Sequence, residues 1–441
     1  MRQQKLSLQN IMTHFRKRWS SAPDVRKPGN NTQYTVADGI LAAFAVFFMQ
    51  SGSFLAHQRL LQSKQGRSNA RSLFRVEEIP SDPQIRNLLD PLSCTYFQED
   101  FWYLLNELGE QQRLLQFRNE LNSYAIALDG VSFFSSEHIS CSKCLKRTDR
   151  SGVEHFYHSA ITPVFVKPGQ SQVLSLPAEF IVPQDGHEKQ DCERAAAKRW
   201  LAQHHDHFSD YSVTYLGDDL YANQPLCQQV AETYHQFFIF VCKPESHVGL
   251  YEWLAFLDKN QEVETVTQRH WNGRHAEIWQ YRFATQIPFR NGEDAVLVNW
   301  LEWVITREDT GTILYHNSFV TNHTITAANV IPLAQVGRTR WKIENENNNT
   351  LKTKGYQLEH NFGHGQQDLA NVLATLNMLA FLLHTIQELI EPAYQRLRQA
   401  LGPRKTFFND LRALTRYMLF DSWDDLFRFM EDGLELFPHP P

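Results

Sequence analysis

Acidic residues stand at three points of the chain where a strand or a helix would hold them in place. Asp129 closes the apolar stretch SYAIALDG, Asp218 and Asp219 follow VTYLG, and two glutamates lie in RWKIENENNN, residues 340–349. Three carboxylates from separate segments can hold a pair of Mg²⁺ or Mn²⁺ ions, which activate a water or a 3′-hydroxyl in an in-line phosphoryl transfer. Each Asp also has a simpler interpretation as a turn or a helix cap.

The two glutamates cannot both serve one site on a regular α-helix. At about 100° per residue, Glu346 lies about 200° around the helix from Glu344. One broad face instead contains residues spaced four apart, namely Arg340, Glu344, Asn348 and Lys352. The plain alternative is a surface ion pair between Arg340 and Glu344, worth less than about 1 kcal/mol. Asparagine is a poor helix former, so the run of three asparagines is costly unless its side chains have a function.

A second group of residues has the spacing of a metal site. The pattern is Cys141-x2-Cys144-x10-His155-x2-His158, placed on a predicted β-hairpin. Two thiolates and two imidazoles are a ligand set of structural Zn²⁺. The alternative is a pair of free thiols in a reducing compartment with two strand histidines.

The elements that would position these residues are predicted from hydrophobic periodicity. Period-two patterns predict strands over 123–134, 156–166, 171–182, 211–219 and 234–242, with a helix over 189–205. Three strands, a helix, a strand, a helix and a strand form an α/β order, which is also the order of the ribonuclease H-like fold. The tryptophan-rich segment 247–336 predicts a mostly antiparallel insertion. Helices are predicted again over 339–354 and 366–390.

The charge is distributed unevenly along the chain. Residues 1–75 contain twelve Lys and Arg but only two acids, so this segment carries +10 and the other 366 residues carry −16 of the net −6. A basic segment on an acidic body favours a polyanionic partner, with a merely solubilising surface as the alternative. We therefore predict five regions: a basic helical DNA-binding region (1–120), the two parts of an α/β core (121–246 and 337–395), a β-rich insertion (247–336) and a helical tail (396–441).

Composition places the chain among folded proteins. The apolar share of 42% excludes a disordered chain. Six cysteines in 441 residues provide no disulfide framework, which indicates a reducing compartment. The apolar run 39–49 is shorter than the ~20 residues of a membrane helix, and the basic N-terminus lacks the apolar stretch of a signal peptide. The expected location is cytoplasmic, with no membrane association.

These residues and their spacing resemble those of a known enzyme family. RWKIE followed by LK at 351–352 is similar to the Tyr-Arg-Glu-Lys signature (Y-x2-R-x3-E-x6-K) of the insertion-sequence-four group of bacterial DDE transposases. The strings WKIENENNNTLKTKGYQLEHNFGHG, LDGVSFFSS and LGDDLY resemble one subgroup of these enzymes, over roughly residues 120–390. The signature tyrosine is replaced by Gly337, and Lys352 stands eight residues after Glu344 instead of seven.

The resemblance implies a ribonuclease H-like core and roles for individual residues. Asp129, Asp218 and Glu344 would bind two Mg²⁺ or Mn²⁺ ions, and Arg340 and Lys352 would contact the DNA end. The R-x3-E spacing selects Glu344 over Glu346, and the asparagine run would form a polar surface that faces DNA. The resemblance also implies double-stranded DNA partners, namely the terminal inverted repeats of a mobile element and a target, and a homodimer in the synaptic complex.

Tryptophans of the insertion are expected to stack on an unpaired or flipped base near the cut end, although most would be core residues. Trp271 and Trp279 lie in the basic and polar string QRHWNGRHAEIWQYR and are the candidates. Two other functions remain open: a ribonuclease H-like endonuclease without transposition, and a domesticated, inactive DNA-binding protein.

Overall fold

A nine-stranded mixed sheet with helices packed against it forms the centre of the molecule, which confirms the predicted α/β class. The computed structural model describes residues 5–27, 33–61, 64–183 and 192–436, except for the side chains of 58–68. The predicted helix over 189–205 begins outside these residues. The part that is described is the helix Glu193–His204.

The helices within the described residues occur in three groups: before the first strand, between strands, and after the last strand. They are α1 (Leu8–Trp19), α2 (Val36–Phe48), α3 (Phe54–Leu61), α4 (Lys64–Phe74), α5 (Asp82–Leu89), α6 (Gln98–Glu110), α7 (Glu193–His204), α8 (Gln224–Gln228), α9 (Val248–Lys259), α10 (Val330–Arg338), α11 (Asn349–Thr353), α12 (Leu369–Ile390), α13 (Pro392–Leu401), α14 (Arg404–Tyr417) and α15 (Trp423–Gly433).

The strands form two sheets. They are β1 (Tyr124–Ala127), β2 (Gly130–Ser136), β3 (Leu145–Thr148), β4 (Glu154–Ile161), β5 (Val164–Val166), β6 (Leu174–Ser175), β7 (Glu179–Ile181), β8 (Val213–Gly217), β9 (Phe237–Val241), β10 (Glu264–Trp271), β11 (Ala276–Pro288), β12 (Leu297–Arg307) and β13 (Ile313–Thr321). The large sheet has the order β10-β11-β12-β13-β9-β8-β1-β5-β6, and β2, β4, β3 and β7 form the small one.

Among the strands that the structure describes, parallel pairing is confined to the centre of the large sheet. β8 pairs in parallel with both β1 and β9, whereas the other pairs are antiparallel. The tryptophan-rich strands β10–β13 extend this sheet, because β13 pairs with β9. The segment predicted as a mostly antiparallel insertion is therefore continuous with the central strands.

The predicted single strand over 123–134 is wrong in its extent. The segment forms β1 in the large sheet and β2 in the small one, and the chain changes sheet at Leu128 and Asp129. The Leu128 N–H donates to the Leu216 carbonyl (2.8 Å), whereas the Asp129 carbonyl accepts from the Thr162 N–H (3.0 Å). Alternation of apolar residues continues through this point, so the sequence pattern does not reveal the break.

Helix α12 is the central core helix. It is long and apolar enough to cross a membrane, but 94% of its apolar window is buried inside the protein. It packs on α2, all of whose residues are buried. The N-terminal and C-terminal helices are also joined by hydrogen bonds, such as those from the Asn69 amide to the Thr415 and Met418 carbonyls (2.7 Å each). Residues from both ends of the chain thus share one core.

Gly337 allows α10 to approach the sheet closely. A Cβ built at this position would lie 2.9 Å from Ile239 Cγ2 on β9 and 3.1 Å from Phe319 Cε1 on β13. The backbone of both strands is fixed by the ladder, so these neighbours have little room to move. The signature tyrosine of the family therefore does not fit at this position.

We expect Gly337→Ala to lower the free energy of unfolding by about 1–3 kcal/mol, because the added methyl group overpacks the contact between helix and sheet. Gly433→Ala is the matched control, since a Cβ there meets nothing within 4 Å. Denaturant unfolding of both variants measures the difference. Equal stability of the two variants would contradict the close packing of α10.

Candidate active site

The parallel pairing of β1 and β8 places two of the predicted acids side by side. Ala127 is the register partner of Leu216, so Asp129 and Asp218 both follow two residues later at the same edge of the sheet. Neighbouring strands are separated by about 4.8 Å, which brings the two carboxylates within electrostatic range. The Asp218 Oδ1 atom also accepts from the Leu220 N–H (2.9 Å), so this residue shapes the turn as well.

Asp219 has a different position from its neighbour. Its Oδ1 atom accepts from the Lys243 N–H (2.6 Å) and lies 3.3 Å from His247 Nε2. These contacts tie the end of β8 to the segment after β9. Of the two adjacent aspartates, Asp218 is thus the one that acts on Asp129.

The third acid comes from a helical segment that is not a regular α-helix. Residues Ile343–Asn348 are π-helical, inserted before α11, so the predicted regular helix over 339–354 is wrong. Such segments are rare and frequently occur at functional sites. Glu344 is half exposed and pairs with Arg340 (Nη2 to Oε1, 2.7 Å). Its charge is one of those that raise the pKa of Asp129.

The asparagine run lies mostly inside the protein, so its prediction as a DNA-facing surface is wrong for two of its three members. Asn347 and Asn348 are buried, whereas Asn349 is exposed. The Ser175 hydroxyl donates to Asn347 Oδ1 (3.1 Å), and the Thr162 hydroxyl donates to Asn348 Oδ1 (2.8 Å). These bonds fasten the π-helical segment to the sheet and satisfy amides that would otherwise be costly to bury.

Asn348 also connects this segment to the first acid. Its Nδ2 atom lies 3.4 Å from Asp129 Oδ2, at the long end of a hydrogen bond. An amide that donates to a carboxylate fixes the orientation of that carboxylate. Asn348 therefore orients Asp129.

A fourth acid, Glu193, belongs to the same cluster and was missed by the sequence analysis. It is the first residue of α7, where its Oε1 atom accepts from the buried Tyr221 hydroxyl (2.7 Å) and its carboxylate accepts from the Gly130 N–H. A Cβ on Gly130 would lie 2.5 Å from Glu193 Oε2, so glycine is required for this approach. An acid in the first turn of a helix is common for dipole reasons alone, and the sequence therefore gave no further signal.

Burial and the charges of neighbouring acids determine the electrostatics of the cluster. The pKa of Asp129 is raised to about 7, first by burial and then by the charges of Glu193, Glu344 and Asp218, while the charge of Arg340 opposes the shift. Burial, followed by the charge of Asp218, also raises the pKa of Glu193 despite the hydrogen bond from Tyr221. A group of acids with one neighbouring cation lacks positive charge, which a bound divalent ion would supply.

We expect Glu193→Gln to lower the pKa of Asp129 by on the order of one unit, because the strongest of the neighbouring negative charges is removed. The midpoint of the pH profile of Mn²⁺ binding, measured between pH 5 and 9, should shift to lower pH. Glu264→Gln, at the exposed start of β10, is the control and should leave the profile unchanged. An unchanged profile in Glu193→Gln would remove Glu193 from the cluster.

The two predicted cationic DNA contacts both have acidic partners. Arg340 pairs with Glu344, although its Nη1 atom is buried without a partner. Lys352 pairs with Glu359 (Nζ to Oε1, 2.7 Å), with 28% of its side chain exposed. A phosphate would therefore have to compete with Glu359 for Lys352. Both contacts remain predictions.

The two candidate tryptophans differ in exposure. Trp271, at the end of β10, is 63% exposed, whereas Trp279 is partly buried, stacks on His270 and donates from Nε1 to Glu277 (2.9 Å). β10 is six strands away from β1, on the order of 30 Å across the sheet. Within one chain, a base stacked on Trp271 would therefore lie well away from a phosphate at the acids.

Part of the basic charge of residues 1–75 is neutralised within the protein. Arg16 pairs with Asp38 (2.6 Å), and Arg18 lies 3.3 Å from the buried Asp100. The side chains of Arg59, Lys64 and Arg67, and all of Arg2, lie outside the described residues. The net charge of this region thus overstates the positive surface that it offers to DNA.

The cysteine and histidine group forms a cluster, but with a different fourth member from the one predicted. Cys141, Cys144, His158 and His364 each place one donor atom within 4.8 Å of the others. His155 is the member that was predicted wrongly, because it lies beside Asp149 (3.1 Å) toward the outer end of the hairpin. His364 is more than 200 residues away from the cysteines in sequence, so local spacing could not identify it.

Comparison with known proteins does not assign a function to these residues. No protein-family model matches the chain, and no curated protein is significantly similar to it.

Proposed function

We propose that the protein is a DDE transposase, which cleaves DNA at the ends of a mobile element and joins those ends to a target. The observation that carries the proposal is that Asp218 and Glu344, two acids selected from the sequence, act on the carboxyl group of the third, Asp129, whose pKa is raised by burial and by their charges. The order of strands and helices along the chain supports a ribonuclease H-like core, and so does the parallel pairing of β8 with its neighbours β1 and β9.

The donor set fits the proposed metal ions. Mg²⁺ prefers carboxylate oxygens and uses one or two of them per ion together with waters, so three or four acids suffice for two ions. Asp129, Asp218 and Glu344 would hold the ions, which supply activation of the attacking oxygen and stabilisation of the leaving oxygen. The raised pKa of Asp129 means that ions and protons compete for this carboxylate near neutral pH.

The residues of the chain have distinct tasks in this proposal. Asn348 orients Asp129, and Arg340 pairs with Glu344 and is the proposed contact for a phosphate oxygen of the DNA end. In the first step a water oxygen attacks the scissile phosphorus and a 3′-oxygen leaves as a hydroxyl. In the second step that hydroxyl attacks a phosphorus of the target and displaces another 3′-oxygen. The proposed partners are thus double-stranded element ends and target DNA, bound by a homodimer in the cytoplasm.

The function is tested with the purified protein, Mg²⁺ or Mn²⁺, and linear DNA that carries the sequences flanking the gene. We expect strand cleavage that leaves 3′-hydroxyl ends, followed by joining of those ends to a plasmid. Cleavage without joining would replace the proposal by an endonuclease of the same chemistry. Specific binding to DNA without cleavage would replace it by an inactive DNA-binding protein.

A further inference from the structure

The geometry points to a structural zinc site, formed by Cys141, Cys144, His158 and His364, that clamps the loop after the acid-bearing helix to the small sheet. The two cysteines lie in the turn between β2 and β3, His158 lies on β4, and His364 lies in the loop between α11 and α12. Cys144, His158 and His364 are buried, and Cys141 is partly buried. This site is separate from the carboxylates and does not depend on the proposed transposition.

Five of the six distances between the ligand atoms are close to those of a tetrahedron around one zinc ion, and the sixth, between Cys141 Sγ and the His364 ligand atom, is within 4.8 Å. Zn–S and Zn–N bonds of about 2.3 and 2.0 Å give tetrahedral edges of about 3.8 Å between two sulfurs, 3.5 Å between sulfur and nitrogen, and 3.3 Å between two nitrogens. The Cys141 and Cys144 sulfurs are 3.8 Å apart, and the His158 and His364 Nε2 atoms are 3.2 Å apart. His158 Nε2 lies 3.6 and 3.4 Å from the two sulfurs, and His364 Nε2 lies 3.3 Å from Cys144 Sγ.

The hydrogen bonds around the cluster leave the sulfur and Nε2 atoms of its side chains free to bind a metal. His364 Nδ1 lies 3.1 Å from the Gly365 carbonyl, which can only accept, so this nitrogen carries the proton and Nε2 presents its lone pair to the cluster. The Cys141 N–H donates to Cys144 Sγ (3.4 Å), which favours a thiolate. Two thiol hydrogens can bridge at most two of these close pairs, whereas one cation at the centre contacts all four atoms.

The surroundings indicate a structural rather than a catalytic ion. Four protein ligands fill a tetrahedral zinc site and leave no position for water or substrate. The rings of Phe133 and Phe134 cover the histidines, with Phe134 centred 4.5 Å from His364 and Phe133 5.7 Å from His158. An apolar cover of this kind keeps solvent away from the ion.

The consequence of the site is a cross-link between the two segments that carry the first and third acids. Asp129 immediately precedes β2, whose partner strand β4 carries His158, whereas Glu344 belongs to the helical segment that leads into the loop with His364. The same loop is anchored from the other side by Asp90, whose carboxylate accepts from the Gln366 and Gln367 N–H groups. A zinc ion would thus fix the spacing between Asp129 and Glu344 from behind the acid cluster.

The test measures metal in protein that has been purified with reductant and without chelators. We expect about one zinc per chain by inductively coupled plasma mass spectrometry. X-ray absorption of the zinc should give two sulfur and two nitrogen ligands, and this measurement needs no variant. Zinc content near zero in protein that also fails to bind added Zn²⁺ or Co²⁺, a Cys141–Cys144 disulfide, or a shell of oxygen ligands would each overturn the proposal.

The matched pair of variants is His364→Asn and His155→Asn. His155 lies on β4 of the hairpin and His364 on the loop that reaches the hairpin, but only His364 belongs to the cluster. We expect at least a tenfold lower zinc affinity in His364→Asn and unchanged affinity in His155→Asn. If His364→Asn fails to fold, removal of zinc from the unmodified protein replaces it. The melting temperature should then fall by about 5–10 °C and recover when Zn²⁺ is added. Equal affinities in the two variants, or an unchanged melting temperature, would contradict the site.

Discussion

Glu344→Gln should abolish metal-dependent DNA cleavage, with a loss of about 10³-fold or more, whereas Glu346→Gln should retain activity within about threefold. The reason is that Glu344 lies close enough to Asp129 to raise its pKa, while Glu346 acts on Lys342. The amide of glutamine keeps the size of the side chain but removes the charge that a divalent ion requires. Nicking of supercoiled plasmid with Mn²⁺ measures the loss even before the element ends are known.

Two controls separate chemistry from binding and folding in this experiment. Both variants should bind the DNA as the unmodified protein does, in a mobility-shift assay without metal. Both should also unfold at similar denaturant concentrations, since Glu344 is half exposed and its ion pair with Arg340 contributes little. Loss of cleavage in Glu346→Gln alone would mean that the π-helical segment presents the other acid to the DNA.

Substitution of Asp129 should lower activity but raise the stability of the metal-free protein. We expect Asp129→Asn to abolish cleavage yet to stabilise the metal-free protein at pH 8 by about 2–4 kcal/mol. The pKa of this carboxyl is about 7 in the folded protein, against a usual value of 3.8. Its ionised form is therefore disfavoured by folding, and asparagine removes that cost while keeping the shape.

The sign of the pH dependence follows from the same shift. The folded protein binds a proton at Asp129 more tightly than the unfolded chain does, so stability falls as the pH rises from about 4 to about 7. The difference in the free energy of unfolding between Asp129→Asn and the unmodified protein should be smallest at the acidic end of this window and largest above pH 7. Urea unfolding at a series of pH values measures it. A constant difference, or a destabilised variant at pH 8, would contradict the repulsion between these acids.

The positions of the first two acids could be predicted because the sequence pattern fixes them locally. Apolar β-forming residues precede Asp129 and Asp218, and acids at the ends of adjacent parallel strands are neighbours. The tertiary pairing that makes them neighbours was inferred from the order of elements. The β-rich nature of 247–336 was predicted for the same local reason, but its attachment to β9 depends on pairing over long range.

Contacts that depend on distant residues or on irregular backbone could not be predicted from the sequence. A helical wheel assumes a regular helix, so it could not anticipate the π-helical segment or the burial of Asn347 and Asn348 against the sheet. Glu193 joins the acids only because Gly130 leaves room for it. His364 replaces His155 because a loop returns to the hairpin from the other end of the core.

Mn²⁺ binding to the zinc-loaded protein tests whether the carboxylates form a metal site, and it requires no knowledge of the DNA substrate. Isothermal titration at pH 8 should detect Mn²⁺ binding in the unmodified protein and in Glu346→Gln. Binding should be at least tenfold weaker in Asp129→Asn and in Glu344→Gln. Equal affinity for Mn²⁺ in all four proteins would show that the carboxylates do not form a metal site and would contradict the proposed chemistry.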